Sequence, residues 1–226
     1  MPSIGAVRYA SFVQEFNALQ MNIAILASGE GTTLQAVLDA CTSGRLPARV
    51  AVVISNNASA GALRRARSAG VPARHLSAAT AGGAGPHDQA LSETLHEFAS
   101  DWVLLAGYMK RLGPATLARF AGRIINTHPA LLPEFGGQGM FGANVHRAVL
   151  AAGHRTSGAS VHWVDENYDT GALIAQVRVP VESGDCADSL AQRVQAAERE
   201  LVIEVLAAAA SGGLKPPQHS QPGATS

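Results

Sequence analysis

The sequence predicts an α/β domain of three layers, a mostly parallel twisted sheet between helices with an antiparallel edge strand. Three observations lead there. Apolar runs at 22–27, 49–55 and 101–106 have the length and composition of buried strands. Stretches with helical spacing lie between them, so strand and helix alternate, as a parallel sheet with right-handed crossovers requires. Further on, 157–164 and 173–181 read as strands joined by a short link, which suggests an antiparallel pair at that edge.

Asn22–Ala27 opens the fold. Ser28-Gly29-Glu30-Gly31-Thr32-Thr33 follows at once, and 34–40 has helical spacing. Glycines allow a tight turn and close approach to a ligand, and a helix N-terminus offers free N–H groups, so phosphate is the natural guest. The same residues also read as an ordinary βα turn with a threonine cap. They carry neither the full dinucleotide fingerprint nor the Lys-Ser/Thr ending of a Walker loop. Residues 49–55 form a second strand, 56–59 a turn, and 60–69 a helix whose Arg64, Arg65 and Arg67 read as a solvated face. A short strand at 73–76 and a loose Ala/Gly-rich loop at 80–85 precede an amphipathic helix at 87–99, with Leu91, Leu95 and Phe98 on one face. Asp101–Ala106 is the next strand. Gly107–Leu112 turns at its carboxyl end, where ligands collect in open α/β sheets. Residues 114–120 form a short helix.

Arg123–Pro133 is the stretch around which the rest is organised. Ile124-Ile125 starts a buried strand. Asn126 and His128, two apart, share a face. Pro129 ends the strand because it has no N–H to donate, and Leu131-Leu132-Pro133 reads as an apolar anchor. Such a pair is a site or a satisfied strand-end histidine. Convergence with the glycine loop and the 107–112 turn on one rim favours a site. The glycine-rich loop around 136–144 is a lid or an idle surface loop. A helix follows at 145–152. The strand 157–164 puts Ser160 and His162 on one face, and 165–171 is an acidic turn. Asp185 or Asp188 caps a last helix, 189–209, with Leu190, Val194, Ala197, Leu201 and Val205 on its core face and Gln195 and Glu198 on a shared side. His75, His87, His96, His146, His154 and His219 read as ordinary polar residues.

The chain has 226 residues, enough for one sizeable core, with 47% hydrophobic and 15% charged residues. Lys+Arg and Asp+Glu both count 17, so no net field recruits nucleic acid or an acidic membrane. No run reaches the length of a membrane span, and 1–20 lacks the apolar stretch of a signal peptide. Cys41 and Cys186 are far apart and read as reduced cytoplasmic thiols. The histidines show no ligand spacing, so no metal site is expected. Residues 1–20 read as an extension, 21–210 as one domain, and 211–226, rich in Gly, Pro, Ser and Gln, as a disordered tail.

These residues carry a family likeness over about 21–208. The Asn22–Gln35 segment, Ser55-Asn56, Leu105-Ala-Gly-Tyr-Met109, Asn126-Thr-His-Pro-Ala-Leu-Leu-Pro133, Ser157-Gly-Ala-Ser-Val-His162 and Tyr168-Asp-Thr-Gly171 resemble the glycinamide ribonucleotide branch of the folate-dependent formyltransferases. The resemblance implies a Rossmann-related, formyltransferase-like fold. It implies transfer of formyl from the co-substrate 10-formyltetrahydrofolate to the amine of glycinamide ribonucleotide in purine synthesis, by a monomer or homodimer in the cytoplasm. It assigns Asn126, His128 and Asp169 to catalysis. Gly29, Glu30, Gly31, Thr32, Thr33, Gln195 and Glu198 would bind the ribonucleotide. Met109, Lys110, Arg111, Leu112, Val164, Asp165 and Glu166 would form the folate pocket, largely through backbone groups. Ser160 and His162 would support the site. Three departures stand out. Thr33 replaces a frequent Asn, whose role a hydroxyl can take. No arginine precedes the helix at 87–99, which leaves one phosphate partner unidentified. The loop 136–144 is longer and richer in glycine than in the shortest relatives.

Formyl transfer needs a donor for a tetrahedral oxyanion and a carrier for one proton. An amide N–H of Asn126 suits the first. His128 suits the second if neutral, or adds a donor if charged; Asp169 close by would favour imidazolium or relay a proton through water. The rivals are a methionyl-tRNA formyltransferase, which needs a further C-terminal domain and a basic face, a formyltetrahydrofolate hydrolase, which usually carries an N-terminal regulatory domain, and a non-catalytic nucleotide-binding module.

Overall fold

The computed structural model describes residues 20–216. Residues 1–19 of the expected extension and 217–226 of the expected tail lie outside the described residues. The strands are β1 (Met21–Leu26), β2 (Ala48–Ser55), β3 (Ala73–His75), β4 (Trp102–Leu105), β5 (Ile124–His128), β6 (Thr156–Trp163) and β7 (Leu173–Pro180). The helices are α1 (Thr32–Thr42), α2 (Gly61–Ser68), α3 (Ala78–Ala81), α4 (Ala84–Glu97), α5 (Pro114–Arg119), α6 (Ala143–Ala151) and α7 (Ala187–Ala210). One sheet runs in the order β3-β2-β1-β4-β5-β6-β7. Every pair from β3 to β5 is parallel. β6 is antiparallel to both β5 and β7, so it makes the antiparallel edge expected from the short 164–172 link.

The pleat sorts the side chains into two apolar layers. Ile23 and Ile25 of β1 face one way, with Leu34 and Val37 of α1, Leu63 of α2, Val149 of α6 and Leu190, Val194 and Leu201 of α7. Ala24 and Leu26 face the other way, with Leu91 and Leu95 of α4 and Phe120. Strands buried on both faces read as continuous apolar runs, which is why they stand out in the sequence.

The order of strand addition reverses between β1 and β4: β1 to β3 progress outward one way, and β4 and β5 the other. Such a switch point leaves a crevice at the carboxyl ends of the strands. Ser28 ties the loops there. Its N–H donates to Gly107 O (3.0 Å). Its hydroxyl accepts from the Met109 N–H (2.8 Å) and donates to Asn56 Oδ1 (2.5 Å).

Several local expectations change. The loop expected at 80–85 contains the end of α3 and the start of α4; α3 forms because Ser77 and Thr80 cap each other: Thr80 N–H donates to Ser77 Oγ (3.2 Å) and Ser77 N–H to Thr80 Oγ1 (3.1 Å). Left-handed Gly82 (φ 84°) then ends α3. The cap of α1 is Gly31, at φ 73°, and no threonine. A Cβ there would also sit 2.8 Å from Ala62 Cα, so the close fit of loop to α2 requires glycine. α7 starts behind Cys186, whose N–H donates to Ser189 Oγ (3.0 Å), while Asp185 binds Ser189 and Arg193. Among the described residues no helix is long and apolar enough to cross a membrane.

Candidate active site

A cavity of about 850 Å³ opens at the switch point. Its wall includes Ser28 to Thr33, Gly107 to Met109, Asn126 to Pro129, Asp169, Gln195 and Glu198. The glycine loop, the β4 turn and the β5 end therefore meet, as the topology demands.

β5 carries two of the three residues expected to be catalytic. Asn126 lies opposite His162 of β6, and His128 opposite Ser160. Ser160 pins the chain beyond His128: its hydroxyl donates to Ala130 O (2.6 Å) and accepts from the Leu132 N–H (3.0 Å) and Gln176 (2.9 Å). The buried anchor is Ala130 and Leu132; Leu131 is half-buried and Pro133 exposed, contrary to the anchor expected at 131–133. Asp169 arrives from the β6–β7 turn with a left-handed backbone, φ 57°. A non-glycine residue there costs energy and marks a constrained position.

The three side chains form one buried cluster. Asp169 can only accept hydrogen bonds, so it must face the amino group of Asn126, and Asn126 Nδ2 donates to Asp169 Oδ1 (3.2 Å). Asn126 Nδ2 also donates to His162 Nε2 (3.0 Å). His162 accepts there because its Nδ1 carries the proton that Trp163 O receives (2.7 Å). The reciprocal pattern holds in His128: Nε2 donates to Phe135 O (2.8 Å), which leaves Nδ1 to face Asp169 Oδ2 at 3.5 Å. Gly137 N–H completes the carboxylate shell at 2.9 Å.

Burial sets the resting charges. It pulls the His128 pKa below the ordinary histidine value, and the neighbouring Asp169 and the Phe135 carbonyl only partly oppose it. Of the two forms left open by the sequence, the neutral imidazole is thus the one favoured at neutral pH. Burial also acts to raise the Asp169 pKa, but the hydrogen-bond shell around the carboxylate, the Gly137 N–H included, outweighs it and holds the carboxyl below its usual range. Glu198 goes the other way. Its burial raises the carboxyl pKa against the Thr127 hydroxyl, which donates to it at 2.7 Å.

All the residues expected to bind the ribonucleotide lie on the cavity wall. Arg65, expected on a solvated face, is half-buried and donates to Glu30 O (2.8 Å) and Gln35 Oε1 (3.2 Å), bracing the loop from behind. Of the expected folate residues only Met109 is on the wall. Leu112 is buried in the apolar layer with Tyr108 and Phe120, because its side chain finds more apolar surface there. Half-buried Val164 packs on the same layer. Lys110 is exposed, and Asp165 organises its own turn through Asn167 N–H (2.9 Å) and Thr170 Oγ1 (2.7 Å). The two turns do meet: Arg111 donates to Glu166 O and its guanidinium lies 5.9 Å from the Tyr168 ring centre.

His146 was expected to be an ordinary polar residue. It is 1% exposed, lines the cavity, and burial and the nearby His128 depress its pKa. Its place on the helix that follows the glycine-rich loop was the available signal. Met140, Phe141 and Tyr168 were also missed as wall residues. Among the described residues no group of His, Cys, Asp and Glu is arranged to hold a metal.

Residues 21–206 match the model of the formyl transferase family. The chain belongs to that family. It is 40% identical over 195 residues to phosphoribosylglycinamide formyltransferase of Escherichia coli K12, covering 86% of this chain and 90% of that one. Among solved structures, glycinamide ribonucleotide transformylase 1 from Symbiobacterium toebii superposes with a TM-score of 0.81 at 42% identity, covering 86% and 89% of the two chains. A formyltetrahydrofolate deformylase from Pseudomonas syringae pv. tomato shares the fold at TM-score 0.76 and 26% identity, but this chain covers 63% of it. The formyl transferase family model spans every strand of the sheet, both catalytic candidates on β5 and the Asp169 turn.

Proposed function

We infer that the chain transfers the formyl group of 10-formyltetrahydrofolate to the amine of glycinamide ribonucleotide, a step of purine synthesis. The observation that carries this reading is the closing of Asn126, His128 and Asp169 into one buried cluster on a cavity wall that also includes the glycine loop. The relatives that match nearly end to end, named for this activity, support it.

The start of α1, with Gly29 to Thr33, holds the phosphate through backbone N–H groups and hydroxyls. Gln195 and Glu198 contact the ribonucleotide. Met109 meets the folate with its side chain; Lys110 to Leu112 and Val164 to Glu166 offer backbone groups. The amine attacks the formyl carbon, a C–N bond forms, and the carbonyl pair moves onto oxygen. Asn126 exchanges the longer of its two hydrogen bonds, that to Asp169, for this oxyanion. Neutral His128 Nδ1, beside the Asp169 carboxylate, takes the proton that the new ammonium must lose. The proton passes to N10 of the folate, the C–N10 bond breaks, and the carbonyl re-forms. Tetrahydrofolate and the formylated ribonucleotide leave. Nothing is oxidised or reduced, and the step as written uses no metal. Ser160 and His162 keep the β5 end and the Asn126 amide in place.

The working unit in this reading is 21–210, in the cytoplasm, where Cys41 and Cys186 remain thiols. All the assigned groups come from one chain, so a monomer and a homodimer both hold a complete site. Its partners are the two small molecules; balanced charge gives nucleic acid and anionic membrane no purchase. The test is to incubate the protein with both substrates and follow tetrahydrofolate release. Release should require the ribonucleotide. Equal release with the amine omitted would mean hydrolysis and overturn the reading.

A further inference from the structure

His128 offers a bare Nδ1 to Asp169 because its one N–H, on Nε2, donates to the Phe135 carbonyl. That carbonyl belongs to a strap, residues 134–137, which touches both members of the pair. Phe135 O receives His128 Nε2–H at 2.8 Å, and Gly137 N–H reaches Asp169 Oδ2 at 2.9 Å. The course of the strap thus decides which nitrogen of His128 is bare and how far the carboxylate stands from it.

The strap does not lie in a relaxed conformation. Phe135 has φ 55°, which a phenylalanine adopts only when its surroundings hold it there. Gly136 passes so near the site that a Cβ would sit 2.5 Å from Leu132 Cδ2 and 3.3 Å from Asp169 Cβ. The contacts that hold it come from outside the cavity, where the Phe135 ring packs against the apolar layer that α1, α6 and α7 cover. The Phe135 ring meets the His154 ring edge-on, with centroids 5.0 Å apart and planes at 80°. His154 follows the end of α6, where its N–H bonds Val149 O (3.3 Å), so its backbone is anchored to a helix. His154 Nδ1 also lies 3.6 Å from Glu134 Oε2, both partly exposed. An exposed pair of this kind contributes little, whereas an edge-to-face ring contact orients both rings.

We propose that Phe135 and His154 are positioning residues: their ring contact holds the 134–137 strap so that His128 keeps its proton on Nε2 and presents Nδ1 to Asp169. The inference rests on reading His128 and Asp169 as the proton-moving pair. The groups facing His128 are Asp169, His162, His146 and the Phe135 carbonyl, and those facing His154 are Glu134 and Phe135.

The test uses the full chain labelled with ¹⁵N-histidine, read by NMR at neutral pH, beside steady-state kinetics over pH. The wild type should show His128 as the neutral Nε2–H tautomer. In His154→Ala that signal should give way to a tautomer mixture. Its kcat should fall about tenfold with KM for both substrates held, the scale of a displaced catalytic group. The acid limb of its kcat/KM profile should move to lower pH, because the carbonyl that stabilises charged His128 has withdrawn. His154→Phe keeps a ring edge without a charge and should restore all three. Glu134→Gln should change none of them. Phe135→Leu supplies the same reading should His154→Ala not fold. An unchanged tautomer and limb in His154→Ala, or failure of His154→Phe to rescue, overturns the proposal. The wild-type NMR signal does not depend on turnover, so absence of formyl transfer would sink the functional reading while the tautomer data still judge the strap.

Discussion

The two ends of the cavity are built in opposite ways. At the chemical end, His128, His146 and His162 are 4%, 1% and 2% exposed, and His128, His162, Asn126 and Asp169 are each tied to a named partner. At the mouth, Met109, Phe141 and Tyr168 are 44%, 51% and 39% exposed, on turns and on the glycine-rich loop. The first arrangement suits charge that must be stabilised without reorganisation. The second suits a large, partly apolar co-substrate, which gains affinity by covering surface that water now meets. On the proposed function, chemistry falls to buried, hydrogen-bonded groups and recognition to exposed ones.

Substitutions at the chemical end should damage turnover, and those at the mouth binding. The largest effect is expected from His128→Ala and Asp169→Asn. Each removes half of the proton-moving pair and should lower kcat by about 10²–10⁴-fold, the usual worth of a positioned acid or base, with the thermal midpoint showing a folded chain. Next comes Asn126→Ala, expected to cost about 10²–10³ in kcat, as for one oxyanion donor. His162→Ala should follow it in direction and fall short of it in size, since it only orients that amide.

The pH profile sharpens the contrast. Transfer as written needs neutral His128. Its pKa is depressed in the folded chain, so kcat/KM, which reports the free enzyme, should fall on the acid side with a midpoint below the ordinary value of about 6.5. Below that midpoint the fall should be about tenfold per pH unit, as one protonation dictates. A midpoint above the ordinary value would mean that charge pairing with Asp169 outweighs burial. The smallest effect belongs to the mouth. Phe141→Ala should raise KM for the folate about tenfold, the scale of one side chain covered by a ligand, with kcat and the ribonucleotide KM held. A loss of kcat without a change in KM would place Phe141 in the chemistry instead.

What could be read from the sequence follows the same division. The sheet, the shared rim at the carboxyl ends of its strands and the Asn126/His128 pair were legible because strand period and strand-end breakers are local signals, visible in Ile124-Ile125 and Pro129. Ser160 and His162 were legible as a shared face of a strand. The capping by Ser77 and Thr80 was not read, since an Ala/Gly-rich stretch hides a two-residue signal. Leu112 and His146 went astray for a different reason. Whether a side chain on a turn or helix faces the core or the cavity depends on neighbours distant in sequence, here Phe120 for the one and His128 for the other. The strap escaped for the same cause: neither the left-handed backbone of Phe135 nor its ring contact with His154 leaves a mark in the residue order.

The most direct test of the account is a single-turnover measurement on Asp169→Asn with both substrates saturating. The account expects the variant to remain folded and to bind both molecules, with the formyl-transfer step slowed by about 10²-fold or more. Transfer within a few fold of the wild-type rate would contradict it, because the carboxylate facing His128 Nδ1 would then have no part in moving the proton.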